Sequence, residues 1–178
     1  ATGHFWVDFS CALLMFSRLS GQGSWGLCML LYNFCAFALQ MPIGLLADRH
    51  GRTGRISALG CGLSAFGWCL SPVPLAAAAA AGIGNACFHI GGGLQTLRDS
   101  GNRAAPLGIF VSPGALGIFC GTLLGKRSAL PGWLSAAGLL LLVLVFLRLD
   151  AGTEHALSPA AVPPDRNALW ALACCFLV

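Results

Sequence analysis

Three ionisable side chains stand inside apolar runs of this chain, and their types suit proton chemistry. His4 and Asp8 are one helical turn apart, so a helix places both on one face. His89 sits in another apolar run, between Phe88 and Ile90. Histidine titrates near neutral pH and a nearby carboxylate shifts it, so Asp8 and His89, with His4 in support, could couple to protons or contact a polar solute. Burying such groups in a membrane segment is costly, which makes each a functional candidate. The competing reading is a histidine that only hydrogen-bonds within a bundle or sits at an interface.

The elements that must position them are membrane helices. Hydrophobic residues make up 57% of the 178 and charged residues 9%, and mean hydropathy is +0.79. A soluble domain carries roughly 25% charge. The expected fold class is all-α, a polytopic membrane helix bundle. Apolar stretches of about the length that crosses a bilayer run over His4–Leu19, Trp25–Ala47, Ile56–Leu70, Leu75–Leu97, Pro106–Gly125 and Trp133–Leu149. Turn signals such as Ser71-Pro72-Val73-Pro74 separate them. Residues 1–149 thus read as a six-helix domain, 150–167 as a polar linker on the cytoplasmic side, and 168–178 as the start of a seventh span. The chain opens on Ala1-Thr2-Gly3 and stops inside an apolar run, so it is expected to be part of a longer protein.

Basic residues set the expected orientation. With the N-terminus inside, Arg49, Arg52, Arg55, Arg98, Arg103, Arg148 and Arg166 fall on the cytoplasmic side, while Arg18, Lys126 and Arg127 fall outside. These charges are dispersed and not interleaved with aromatics, so no nucleic acid is expected as a partner. The 9 cysteines form no C-x-x-C pair and read as thiols packed between helices. No metal, nucleotide or prosthetic group is expected.

Two further features carry information. Gly44 to Arg55 is a dense charged turn containing Asp48, Arg49, Gly51 and Arg52 between two apolar runs. A carboxylate followed by arginines at a helix end can cap backbone groups and pair across helices, locking one conformation; the plain alternative is a positive-inside loop. In the fifth span, Pro113, Gly114, Gly117 and Gly121 allow a bend and give a small face for close packing. Gly91-Gly92-Gly93, after His89, reads as close packing, with a flexible gate as the alternative.

Read as G-x-x-x-D-R-x-G-R-x-x-R, the charged turn resembles the loop between the second and third helices of major facilitator superfamily transporters. His4-Phe5-Trp6-Val7-Asp8 and Phe88-His89 narrow the resemblance to the fosmidomycin-resistance-type branch, which exports drugs or small metabolites. The resemblance implies that Gly44 permits close helix approach, that Asp48 faces a helix of the second half, and that Arg52 pairs with an acid below the fourth helix, where Asp99 stands. The fifth-span glycines partly resemble the antiporter motif of exporting members. Thr53 departs from the basic residue common there, and Ile90-Gly91-Gly92-Gly93 replaces the branch's Pro and acid after F-H.

The function expected is secondary active transport of a small organic solute, as proton-coupled efflux of a drug or metabolite across the cytoplasmic membrane. Its partners would be that solute, protons, the lipid bilayer and a C-terminal half. The alternative is a non-transporting membrane scaffold or decayed half-transporter. An intramembrane serine protease built on Ser64 and His89 is disfavoured. At a rise of about 1.5 Å per residue, the two would sit roughly 10 Å and 22 Å from the same membrane face.

Overall fold

A computed structural model describes residues 1–101 and 103–151, and every regular element among them is helical. An apolar chain has reason to be so. Hydrocarbon offers backbone N–H and C=O groups no water, and a helix pairs them within one segment. α1 (Thr2–Leu14) continues into a π-helical turn, Met15–Leu19. α2 (Trp25–Asn33) and α3 (Gln40–His50) form one rod through a second π-helical turn, Phe34–Ala38. α4 spans Thr53–Cys69, α5 Pro74–Asp99, α6 Ala104–Lys126 and α7 Gly132–Ala151.

Local sequence explains the boundaries. Gly51 ends α3 at φ +69°, a conformation that suits a residue without Cβ, and its N–H bonds the Ala47 carbonyl at 2.9 Å. Pro74 opens α5 in the first turn, where a missing N–H loses no helical bond. Around the second π-helical turn, side-chain amides return to the backbone: Asn33 donates to Met29 O at 2.9 Å and Gln40 to Ala36 O at 2.8 Å.

Among the described residues, four stretches are long and apolar enough to cross a membrane, namely Trp25–His50, Pro74–Asp99, Ala104–Lys126 and Gly132–Asp150. The α1 rod and α4, expected to span as well, fall short for different reasons. The α1 rod carries His4, Asp8 and Arg18, and α4 has only 17 residues. Both are inner elements. α1 buries nine of its 13 residues, whereas α6 buries five of 23, Phe110 and four glycines.

Small residues let the helices close on one another. A Cβ on Gly117 or Gly121 would strike the Phe5 or Phe9 carbonyl, so the glycine face of α6 lies directly on the α1 backbone. α4 and α5 meet the same way, since a Cβ on Gly84 would lie 2.6 Å from Ser64 N and one on Gly91 2.6 Å from Ser57 N. Val7, Cys11, Leu14, Cys61, Ala65, Ala81, Phe88, Phe110 and Leu139 fill the shared core. Cys11, Cys28, Cys35, Cys61 and Cys87 are free and buried, as the composition implies. α7 is fixed by a polar seam: Trp6 donates to Ser135 O at 3.3 Å, Trp68 to Ser10 Oγ at 3.1 Å, and the Ser10 and Ser135 hydroxyls bond each other.

The outer surface inverts the soluble rule. Leu30, Phe34, Phe37, Ile109, Phe119, Leu141 and Leu144 are all at least 60% exposed. Apolar area on this scale needs lipid or protein against it, which makes this a membrane protein. α7 runs two residues past the expected end of the sixth span and takes Asp150 into the helix. The rest of the expected linker and the seventh span lie outside the described residues.

Candidate functional site

α1 and α5 bring the three sequence-selected groups together. His4 Nε2 lies 3.1 Å from Asp8 Oδ2, and His89 Nε2 lies 3.9 Å from Asp8 Oδ1. The His4 and His89 rings meet edge to face with centroids 4.4 Å apart. His4 and Asp8 are 1% and 5% exposed, so water does not offset a poor match of partners there. Glycine makes room for them, because a Cβ on Gly114 would fall on the Asp8 carboxylate and the His4 ring. The bend-permitting Pro113 is the neighbouring residue, inside α6.

The hydrogen bonds fix the role of each Nδ1. His4 Nδ1 bonds Phe110 O at 2.9 Å, and His89 Nδ1 bonds Asn85 O at 2.9 Å. A carbonyl only accepts, so both Nδ1 atoms donate. Each neutral ring then presents a bare Nε2 lone pair toward the Asp8 carboxylate. Asn85 Nδ2 donates to Asp8 Oδ1 at 2.7 Å, which orients the carboxyl. At His4, two acceptors face each other across 3.1 Å. That contact calls for one positive charge, a proton or a metal ion, within the cluster. His4, Asp8 and His89 together offer three ligand atoms within 4.8 Å of one another.

Two cavities meet at this cluster. One, about 360 Å³, opens at the end of the bundle with Ala1, Gly54, Asp99 and Asp150, and reaches in to His4, Phe88 and Phe110. The other, about 380 Å³, is lined by Asp8, Asn85, His89, Tyr32, Met15 and Met29. Among the residues around these two spaces, only His4 lines both.

The charged turn is built differently. Asp48, Arg49 and Arg52 make no ion pair within 4.0 Å among the described residues. Arg52 and Asp99 are not brought together; Asp99 Oδ1 instead accepts from Gln95 at 2.8 Å. The neighbouring Arg98 reaches across, donating to the Gly51 carbonyl at 3.0 Å. A methyl on Gly44 would meet only Ile90 Cδ1 at 3.7 Å, an ordinary contact, so helix packing there does not require glycine. Arg55 carries the ion pair of this region, its Nε lying 3.0 Å from Asp150 Oδ2.

The glycines after His89 divide. Gly91 packs on Ser57, a Cβ on Gly92 would lie 2.6 Å from the Phe110 ring, and Gly93 faces open space. Ser64 is buried against Gly84 and takes the Cys11 thiol at 3.7 Å. Sequence reading passed over Asn85, Arg98 and the Arg55–Asp150 pair. Asn85 had a readable signal, a lone amide one helical turn before His89 in an Ala- and Gly-rich run. No family model, no curated protein and no solved structure matches this chain.

Proposed function

We propose that this chain belongs to a secondary active transporter of the major facilitator type and supplies its six-helix N-terminal half. It works by binding and movement rather than by catalysis. The observation that carries the reading is the buried His4–Asp8–His89 cluster standing where two cavities meet, inside a bundle whose outer surface is apolar. Such a group has an interior position with water-sized space on either side, which is what exchange of a proton against a solute needs.

Several features support the finer reading. The α1 rod, the α2–α3 rod, α4, α5, α6 and α7 follow the expected order of six spans, with the charged turn between the second and third. The proposed cargo is a small organic solute, a drug or metabolite, moved outward against protons across the cytoplasmic membrane. With the N-terminus inside, the cavity bounded by Asp99 and Asp150 opens to the cytoplasm. Asp48, Arg49 and Arg52, which form no ion pair among the described residues, are placed to meet a second half of the transporter.

The test uses the full-length parent in proteoliposomes. Internal pH is followed while antibiotics and small metabolites are added across an imposed proton gradient. The expected result is proton flux that depends on one compound and is lost in Asp8→Asn. Silence across a broad panel in folded protein would favour the scaffold reading.

A further inference from the structure

We propose that His4, Asp8 and His89 form a binding site for one divalent transition-metal ion of the Zn²⁺ or Co²⁺ kind, held by the two Nε2 atoms and a carboxylate oxygen. The donor set is the first ground. Two imidazoles and one carboxylate suit borderline ions, whereas Mg²⁺ and Ca²⁺ take oxygen ligands. Spacing is the second. Ligand atoms around a tetrahedral ion with bonds of about 2.0–2.1 Å stand roughly 3.4 Å apart. Here Asp8 Oδ2 lies 3.1 Å from His4 Nε2 and Asp8 Oδ1 lies 3.9 Å from His89 Nε2, while three ligand atoms, one from each residue, fall within 4.8 Å of one another. Binding an ion would draw these atoms from within 4.8 Å toward about 3.4 Å of one another.

The surrounding hydrogen bonds are the third and most specific ground. A metal-binding histidine characteristically donates its other N–H to a carbonyl or carboxylate, which fixes the ring and the tautomer. Both histidines do so, to Phe110 O and to Asn85 O, and Asn85 Nδ2 fixes the carboxylate in turn. Each ligand is therefore oriented by a group outside the cluster, with its lone pair turned inward. Access is the fourth. The 380 Å³ cavity ends on Asp8 and His89, and the His89 side chain is 24% exposed, leaving a route for the ion and an open coordination position.

The site stands apart from the transport reading, because binding is measured at equilibrium without any gradient. The full chain, purified in detergent and stripped with a chelator, is titrated with Co²⁺ and followed by visible absorption. The expected result is one equivalent bound per chain, a ligand-field band that Zn²⁺ abolishes, and no competition from Mg²⁺. His89→Ala and Asp8→Asn should each weaken Co²⁺ binding about tenfold or more, with circular dichroism and elution volume unchanged. His89→Gln substitutes if the alanine variant does not fold. Replacing His50 together with His155, which lies outside the described residues, should leave the band intact. The proposal is overturned if no Co²⁺ is retained, if binding is the same in folded Asp8→Asn and His89→Gln, or if it disappears with His50 and His155. Proton flux measured in chelator-treated liposomes would survive any of these results, so the two readings fail separately.

Discussion

The buried cluster on α1 and α5 and the charged turn after α3 hold their charges in opposite ways. In the cluster, each side chain is held by a fixed neighbour: His4 by Phe110 O of α6, Asp8 by the Asn85 amide of α5, and His89 by the Asn85 carbonyl one turn back in its own helix. At the turn, the backbone is fixed instead. Gly51 takes its left-handed conformation and Arg98 holds its carbonyl, while Asp48, Arg49 and Arg52 form no ion pair among the described residues. The difference follows from solvent. A buried polar group without partners is costly, so the hydrogen bonds that orient this cluster are supplied within the fold. A charge at the membrane surface is hydrated and can be kept for a contact elsewhere.

Five substitutions sharpen or break that contrast, read as stability of the purified protein in a denaturing-detergent titration. Gly114→Leu should do the most damage. Its side chain would occupy the space of the Asp8 carboxylate and the His4 ring, and overpacking of this kind costs roughly 1–3 kcal/mol, occasionally more. If it folds as well as wild type, α6 does not close over the cluster. Asp8→Ala comes next, at about 1–3 kcal/mol, because the Asn85 amide and His4 lose their buried partner. A neutral result would mean that the carboxyl is replaced by water from the adjoining cavity.

Arg55→Ala should cost about 1 kcal/mol at most, since Asp150 is buried but the Arg55 side chain is 58% exposed and screened. High salt should shrink this effect and leave that of Asp8→Ala unchanged. Smallest of all, Arg52→Ala and Asp48→Asn should stay within about 0.5 kcal/mol of wild type. In the full-length parent the same two variants should nevertheless slow solute-dependent proton flux. A stability loss comparable to that of Asp8→Ala would show that the turn is braced within this chain after all.

The sequence carried the cluster further than the turn for the same physical reason. His4 and Asp8 were legible as a pair because helical spacing alone puts them on one face, and His89 because an ionisable group in an apolar run must find a partner. Asn85 was hidden, since an amide in a run of alanines and glycines is cheap enough to pass as filler. At the turn, the residues were legible but not their geometry. Whether Arg52 or Arg98 reaches across depends on how α5 rotates against α3, and spacing within one helix does not encode that. The π-helical turns at Met15–Leu19 and Phe34–Ala38 left no pattern of residue types to read. The glycine face of α6 was visible as a packing surface, but only the folded chain shows that α1 covers it.

That face has a mechanical consequence. Where glycine touches backbone, no side chain can act as a bearing or take up slack, so α1 and α6 move as one plate. α4 and α5, joined through Gly60, Gly84 and Gly91, make another. The Asn85–Asp8 hydrogen bond runs from one plate to the other. Trp68–Ser10 and Cys11–Ser64 cross the same boundary, so a tilt between the plates would load these contacts together and reach the buried carboxylate through the 2.7 Å bond.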